Sequence, residues 1–139
     1  MNKEVVSTAA APAAVGPYSQ AVCAGGLMFL SGQIPLDPAT GKLAEGDVAA
    51  QTAQACKNVL ALLKARGLDA AQVVKTTVFI TDMKDFGAVN EVYKQYFTAP
   101  CPARSCVHAV VAVIHSVDVG NTGMVHQLSP VTLVVHGVP

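Results

Sequence analysis

The run over residues 73–80, Val-Val-Lys-Thr-Thr-Val-Phe-Ile, constrains this chain most, because it carries β-branched or aromatic residues on both alternating faces. In an extended strand Val74, Val78 and Ile80 point one way and Val73, Thr77 and Phe79 the other, so the run predicts a central strand buried on both sides. Helical patterns flank it. From Asp47 onward Val48, Thr52, Ala55, Val59, Leu62 and Leu63 recur at three- and four-residue spacing, with Gln51, Gln54, Lys57, Asn58 and Lys64 at the polar positions between them. Asp47 suits the N-cap of that helix and Gly67 the C′ position. A second helix is expected over 84–97, where Phe86, Val89, Val92, Tyr93 and Tyr96 form the apolar stripe, Asp82 or Asp85 serves the N-terminus, and Pro100 and Pro102 prevent continuation. Two helices cover one face of a sheet. The other face needs cover from elsewhere, and further copies of the same chain are the natural source.

Upstream, residues 19–24 and 27–32 read as two strands around Gly25-Gly26, a tight-turn signal. Pro35, Asp37-Pro38 and Thr40-Gly41 then break any regular pattern, which makes 33–46 an irregular loop, either the rim of a site or a plain connection. The length suits one domain over 1–139. Charged residues make up 13% and the formal net charge is zero, against roughly 25% charged in ordinary soluble proteins. Much of the surface is therefore expected to be covered by other copies. The balance of charge offers no pull toward phosphate backbones, so DNA is not an expected partner. No apolar stretch approaches the ~18 residues of a membrane span and no secretory leader is visible, which points to a cytoplasmic protein away from membranes. Cys23, Cys56, Cys101 and Cys106 lack paired spacing, and the histidines are scattered singly, so neither disulfides nor a metal are expected.

Three segments, Gly16-Pro17-Tyr18-Ser19-Gln20, Phe29-Leu30-Ser31-Gly32-Gln33 and Pro102-Ala103-Arg104-Ser105-Cys106-Val107, occur in this order around the strand ending Phe79-Ile80-Thr81-Asp82-Met83. Together they resemble the RidA/YjgF family of reactive-intermediate deaminases, over about residues 5–107. The resemblance implies an α+β, chorismate-mutase-like fold with a mixed sheet of about six strands and two helices on one face. It also implies a homotrimer with sites in the clefts between subunits. The implied reaction is hydrolysis of enamines and imines of small 2-amino acids, 2-iminobutanoate and 2-iminopropanoate, to 2-keto acids and ammonia without a cofactor.

The chemistry gives the matching residues their meaning. A 2-imino acid carries a carboxylate, which a guanidinium meets through two parallel charge-assisted hydrogen bonds, so Arg104 is the expected clamp. Tyr18 follows a Gly-Pro turn that can project its phenol into a cleft, and the family's matching Tyr lines the substrate pocket. Ser31, Gly32, Gln33 and Cys106 are expected to bind substrate, largely through backbone groups. Cys106 is read as pocket wall and not as a nucleophile, since no His is fixed beside it. Asn90, Glu91 and Lys75 read as solvated or interface side chains.

The composition changes at about His108. Beyond Arg104 there is no Lys, Arg or Glu, Asp118 is the only charged residue, and all four histidines (His108, His115, His126, His136) lie there. In the family the corresponding region ends in a strand of Val-Glu-Ile-Glu-Ala type whose second Glu positions the attacking water. Here 108–139 reads as a divergent tail or the product of a changed reading frame, with a fifth strand over 107–114 and a sixth over 131–136 by β-propensity. Asp118 and His115 are the weak candidates for a general base. The alternatives to a working deaminase are a catalytically weak trimer that binds small carboxylates and a chaperone-like or regulatory protein acting through its surface.

Overall fold

The computed structural model describes residues 2–109, 114–117, 125–128, 131–136 and 138. Strand β1 (Glu4–Val6) pairs antiparallel with β2 (Ala21–Ala24), which forms a hairpin with β3 (Leu27–Leu30). Gly25 and Gly26, at φ 59° and 77°, make its turn, as their position between the two apolar runs predicts. Helix α1 (Val48–Lys64) follows the loop, then β4 (Lys75–Ile80), α2 (Phe86–Tyr96) and β5 (Ala103–His108). Strand β5 pairs parallel to β4. In the tail, β6 (Ile114–Val117) and β7 (Val125–Leu128) pair with each other, and β8 (Val131–His136) lies antiparallel to β4. The far edge of β8 meets the hairpin: Gln33 and Leu133 exchange both backbone hydrogen bonds (2.8 and 3.0 Å), as do Met28 and Val138 (2.6 and 3.0 Å). The order β1-β2-β3-β8-β4-β5 is thus a mixed sheet of six strands with both helices on one face, the expected architecture.

The core lies between that face and the helices. Val78, Ile80, Leu133 and Val135 from the sheet meet Val59, Leu62 and Leu63 of α1 and Val89 and Tyr93 of α2, all with at most 6% exposure. Helix α1 starts where expected, the Asp47 carboxylate accepting from Ala50 N–H at 3.0 Å. At its end Gly67, at φ 70°, lets Leu68 N–H reach the Leu63 carbonyl, a left-handed closure that a side chain would strain. Asp82 rather than Asp85 serves the approach to α2, capping the short 3-10 turn Met83–Asp85 before it.

The structure corrects several expectations. Strand β4 begins at Lys75, so Val74 does not join Val78 and Ile80 but is 56% exposed, while Val73 closes the 3-10 turn Ala70–Gln72 and is buried. The helix-free face of β4 is accordingly Lys75, Thr77 and Phe79, half-buried in the single chain. Asn58, placed among polar positions by its residue type, is buried to 1% exposure. The strand expected over 107–114 instead begins at Ala103 and is described to His108, and β6 and β7 form an antiparallel pair that periodicity does not reveal. The strand expected over 131–136 forms, and sits inside the sheet.

Candidate functional site

On the helix-free face of the sheet, the end of β3, the following loop and β8 enclose a cavity of about 400 Å³. Tyr18, Ser31, Gly32 and Gln33 line it, with Phe79, Thr132 and Val134 as its floor and Ile34 and Leu36 as further apolar wall. The alternation of strands accounts for this floor: the register opposes Phe79 to Thr132 and Thr77 to Val134, so these residues share the face away from the helices. Tyr18 is 44% exposed at the cavity, its N–H bonded to the Gly16 carbonyl at 2.9 Å and its hydroxyl accepting from Val15 N–H at 3.3 Å. Gly16 has φ 133°, a conformation that favours glycine, and that turn is what presents the ring.

The segment 31–33 is tightly held. Ser31 N–H donates to the Gln20 carbonyl and its Oγ to the Ser19 carbonyl at 2.6 Å, while Gln33 Nε2 donates to the Ser31 carbonyl at 2.9 Å. Gly32 is the exposed backbone of the segment. A Cβ there would lie 3.2 Å from Thr132 Cγ2 and 3.4 Å from Val134 Cγ2, so its lack of a side chain lets the segment close on β8 as well as open toward a ligand.

Two residues that the sequence reading passed over organise the cavity wall. Gln20 is 6% exposed; its Oε1 accepts from Thr8 N–H at 2.7 Å and its Nε2 donates to the carbonyls of Thr8, Ala11 and Pro12, tying the 8–12 segment to the hairpin. Asn58 does the same from α1, its Nδ2 donating to the Ile34 and Leu36 carbonyls at 3.0 and 2.8 Å while Gln54 Nε2 donates to its Oδ1. The signal for Gln20 was its place in the Gly-Pro-Tyr-Ser-Gln motif. For Asn58 only its position on the apolar side of α1, next to Val59 and between Ala55 and Leu62, was available.

Arg104 and Cys106 stand elsewhere. Both lie on the helix side of β5, opposite Thr76 and Val78, and neither lines the cavity within one chain. The Arg104 guanidinium is exposed and sits over the Tyr93 and Phe86 rings of α2. Cys106 packs against the core, and burial pushes its thiol up, opposed by the Arg104 charge and a backbone hydrogen bond from Val107. A thiol raised in this way is a poor nucleophile at neutral pH. Lys75, on the helix-free face, donates to Ser105 Oγ at 2.7 Å instead of standing free, and Asn90 is half-buried with its Oδ1 unpaired among the described residues, not solvated. Asp118 lies outside the described residues, and of His115 only its place in β6 is described. Among the described residues no helix is long and apolar enough to cross a membrane.

The model of the family described as Endoribonuclease L-PSP matches residues 8–119. The chain is 55% identical over 105 residues to Reactive Intermediate Deaminase A, chloroplastic, of Arabidopsis thaliana, covering 76% of this chain and 56% of that longer protein. It is 52% identical over 103 residues to the 2-iminobutanoate/2-iminopropanoate deaminase of Homo sapiens, covering 74% of this chain and 75% of the relative. The crystal structure of E. coli TdcF with bound serine superposes with a TM-score of 0.84 at 37% identity, over 98% of both chains.

Proposed function

The chain belongs to the RidA/YjgF family, and from that premise we propose that it is a hydrolase that deaminates 2-iminobutanoate, 2-iminopropanoate and their enamine tautomers. The reading rests on one observation: Tyr18, Ser31, Gly32 and Gln33, drawn from two separate motifs, line a single cavity with no charged side chain among the described residues of its wall. Such a cavity suits the small, weakly polar end of an imino acid and leaves the carboxylate to a cation outside it. Arg104 is that cation. Within one chain it lies across the sheet from the cavity, so the site is completed where the cavity of one copy faces the β5 edge of another, in a homotrimer.

Each group then has a task. The Arg104 guanidinium takes the carboxylate through two parallel N–H···O bonds, a match that the Lys ammonium lacks. Exposed Gly32 brings backbone against the imine nitrogen, Tyr18 closes the cavity mouth, and Cys106 backs the clamp. Water adds to the iminium carbon, a C–O bond forms, the C–N bond breaks, and R–C(=NH2+)–COO⁻ plus H2O becomes R–CO–COO⁻ plus NH4+. The atoms and charge balance with no cofactor. Amino-acid metabolism supplies such imines wherever an amino acid loses water.

A second reading has its own observation. Among the described residues the cavity wall offers hydroxyls from Tyr18, Ser31 and Thr132 but no carboxylate to polarise the water, so a trimer that binds 2-keto and 2-imino carboxylates without turnover competes with the deaminase. Adding the purified protein to a threonine dehydratase reaction, with its mass measured by light scattering, separates the two. Faster keto-acid and ammonia release by a trimer supports the deaminase; a trimer that leaves the rate unchanged supports the binder.

A further inference from the structure

Arg104 is held by rings. Its Cζ lies 4.8 Å from the Tyr93 ring centroid and 5.7 Å from that of Phe86, residues two turns apart on one face of α2. Among the described residues no carboxylate pairs with it. The nearer ring is itself fixed: Tyr93 is 6% exposed, stacks on Phe97 at 4.5 Å, and its hydroxyl lies 2.7 Å from Oγ1 of Thr76, the residue opposite Arg104 in the β4–β5 register. The chain thus runs from a buried strand hydroxyl, through one ring, to an exposed guanidinium.

Stacking engages the flat face of a guanidinium and leaves its in-plane N–H donors free, whereas an ion pair would occupy them. An arginine on an exposed edge strand must otherwise freeze its rotamers when it binds, which weakens binding. We propose that Tyr93 and Phe86 are positioning residues that hold the Arg104 fork ready for the carboxylate of a 2-imino or 2-keto acid. They set affinity through Arg104 and touch neither the imine nor the water. This inference rests on Arg104 being the carboxylate clamp.

The test measures KM and kcat for imine formed in situ from threonine by a dehydratase, and Kd for 2-oxobutanoate by NMR titration. Phe86, at the margin of the core, can be cut back without opening it, and Phe86→Leu is expected to raise KM and Kd roughly two- to fivefold, the range of an exposed cation–π contact, with kcat little changed. Tyr93→Leu is expected to raise them further, and Tyr93→Phe, which keeps the ring face, to restore them. If Arg104→Ala abolishes binding while Phe86→Leu and a folded Tyr93→Leu bind like the parent, the positioning proposal falls and the clamp stands. If Arg104→Ala binds normally, or the parent protein neither binds nor turns over these acids, the clamp falls and takes the proposal with it. Tyr93→Phe behaving like Tyr93→Leu assigns the effect to the Thr76 hydrogen bond and also overturns the proposal.

Discussion

The cavity wall and the β5 edge are built by opposite means. Around the cavity, the 8–12 segment and the 33–36 loop lie outside the strands, with Gln33 and Leu36 in isolated bridges, and two amide side chains reaching out of regular or motif positions, Gln20 and Asn58, bind carbonyls of both segments. Among the described residues the β5 edge has regular pairing on one side only, and the Arg104 side chain rests on aromatic faces with no hydrogen bond to its donors. The contrast separates two needs. A wall must not move, so its polar groups are consumed internally; a clamp must still bind, so its support must leave the polar groups unspent.

The sharpest break of that contrast is Arg104→Ala. Two charge-assisted bonds at about 1.5 kcal/mol or more each predict at least a ~100-fold loss of kcat/KM, whereas the urea midpoint should shift little because the side chain is exposed. A comparable loss of stability would show that the edge is a structural support after all. Asn58→Ala should do the reverse. The Ile34 carbonyl keeps Leu36 N–H as a donor, so the change strands the Leu36 carbonyl in a buried setting, at an expected cost of about 1–3 kcal/mol by urea denaturation, and an unaltered midpoint would refute the account of the wall.

Gly32→Ala probes where the wall meets β8. The added methyl presses on Thr132 Cγ2 at 3.2 Å, an overpacking expected to cost about 1–3 kcal/mol, and Thr132→Ser in the same chain should recover part of it by removing that methyl. Equal losses with Thr132 and with Ser there would contradict the contact. The last effect is alkaline and belongs to the helix layer beneath both regions. Burial pushes the Cys56 thiol from 9.0 to about 12, so above pH 9 the unfolded chain releases a proton that the folded chain keeps. Stability contributed by that neutral thiol is complete below pH 9 and falls between about pH 9 and 12, by at most about 1.4 kcal/mol per pH unit. Cys56→Ala should flatten the slope in this window; an identical slope would remove Cys56 as its source.

What could be read beforehand follows the same division. Elements whose residues carry their own instructions were legible: the Gly25-Gly26 turn, the Asp47 cap, the apolar stripes of both helices, and the Val131–His136 strand. So were the cavity residues Tyr18, Ser31, Gly32 and Gln33, which two local motifs deliver to neighbouring positions. Asn58 was misplaced because its residue type argues for solvent, and the loop carbonyls that justify burying it appear only in three dimensions. Chemistry singles out Arg104 as a candidate, but its side of the sheet depends on the phase of β5 against β4, which no local pattern sets. Val74 failed for a related reason: alternation assigned it to the core, but the strand starts one residue later.

The position of β8 also governs how the molecule comes into being. It is the seam between the hairpin and the β4–β5 pair, yet it is synthesised roughly a hundred residues after β3 and some fifty after β4. A nascent chain therefore holds two half-sheets with open edges and unshielded apolar faces until the seam segment leaves the ribosome, and pairings of such long range close slowly. Folding quality control on this chain thus falls to β8, where a single substitution acts on the union of the two halves as well as on the strand that carries it.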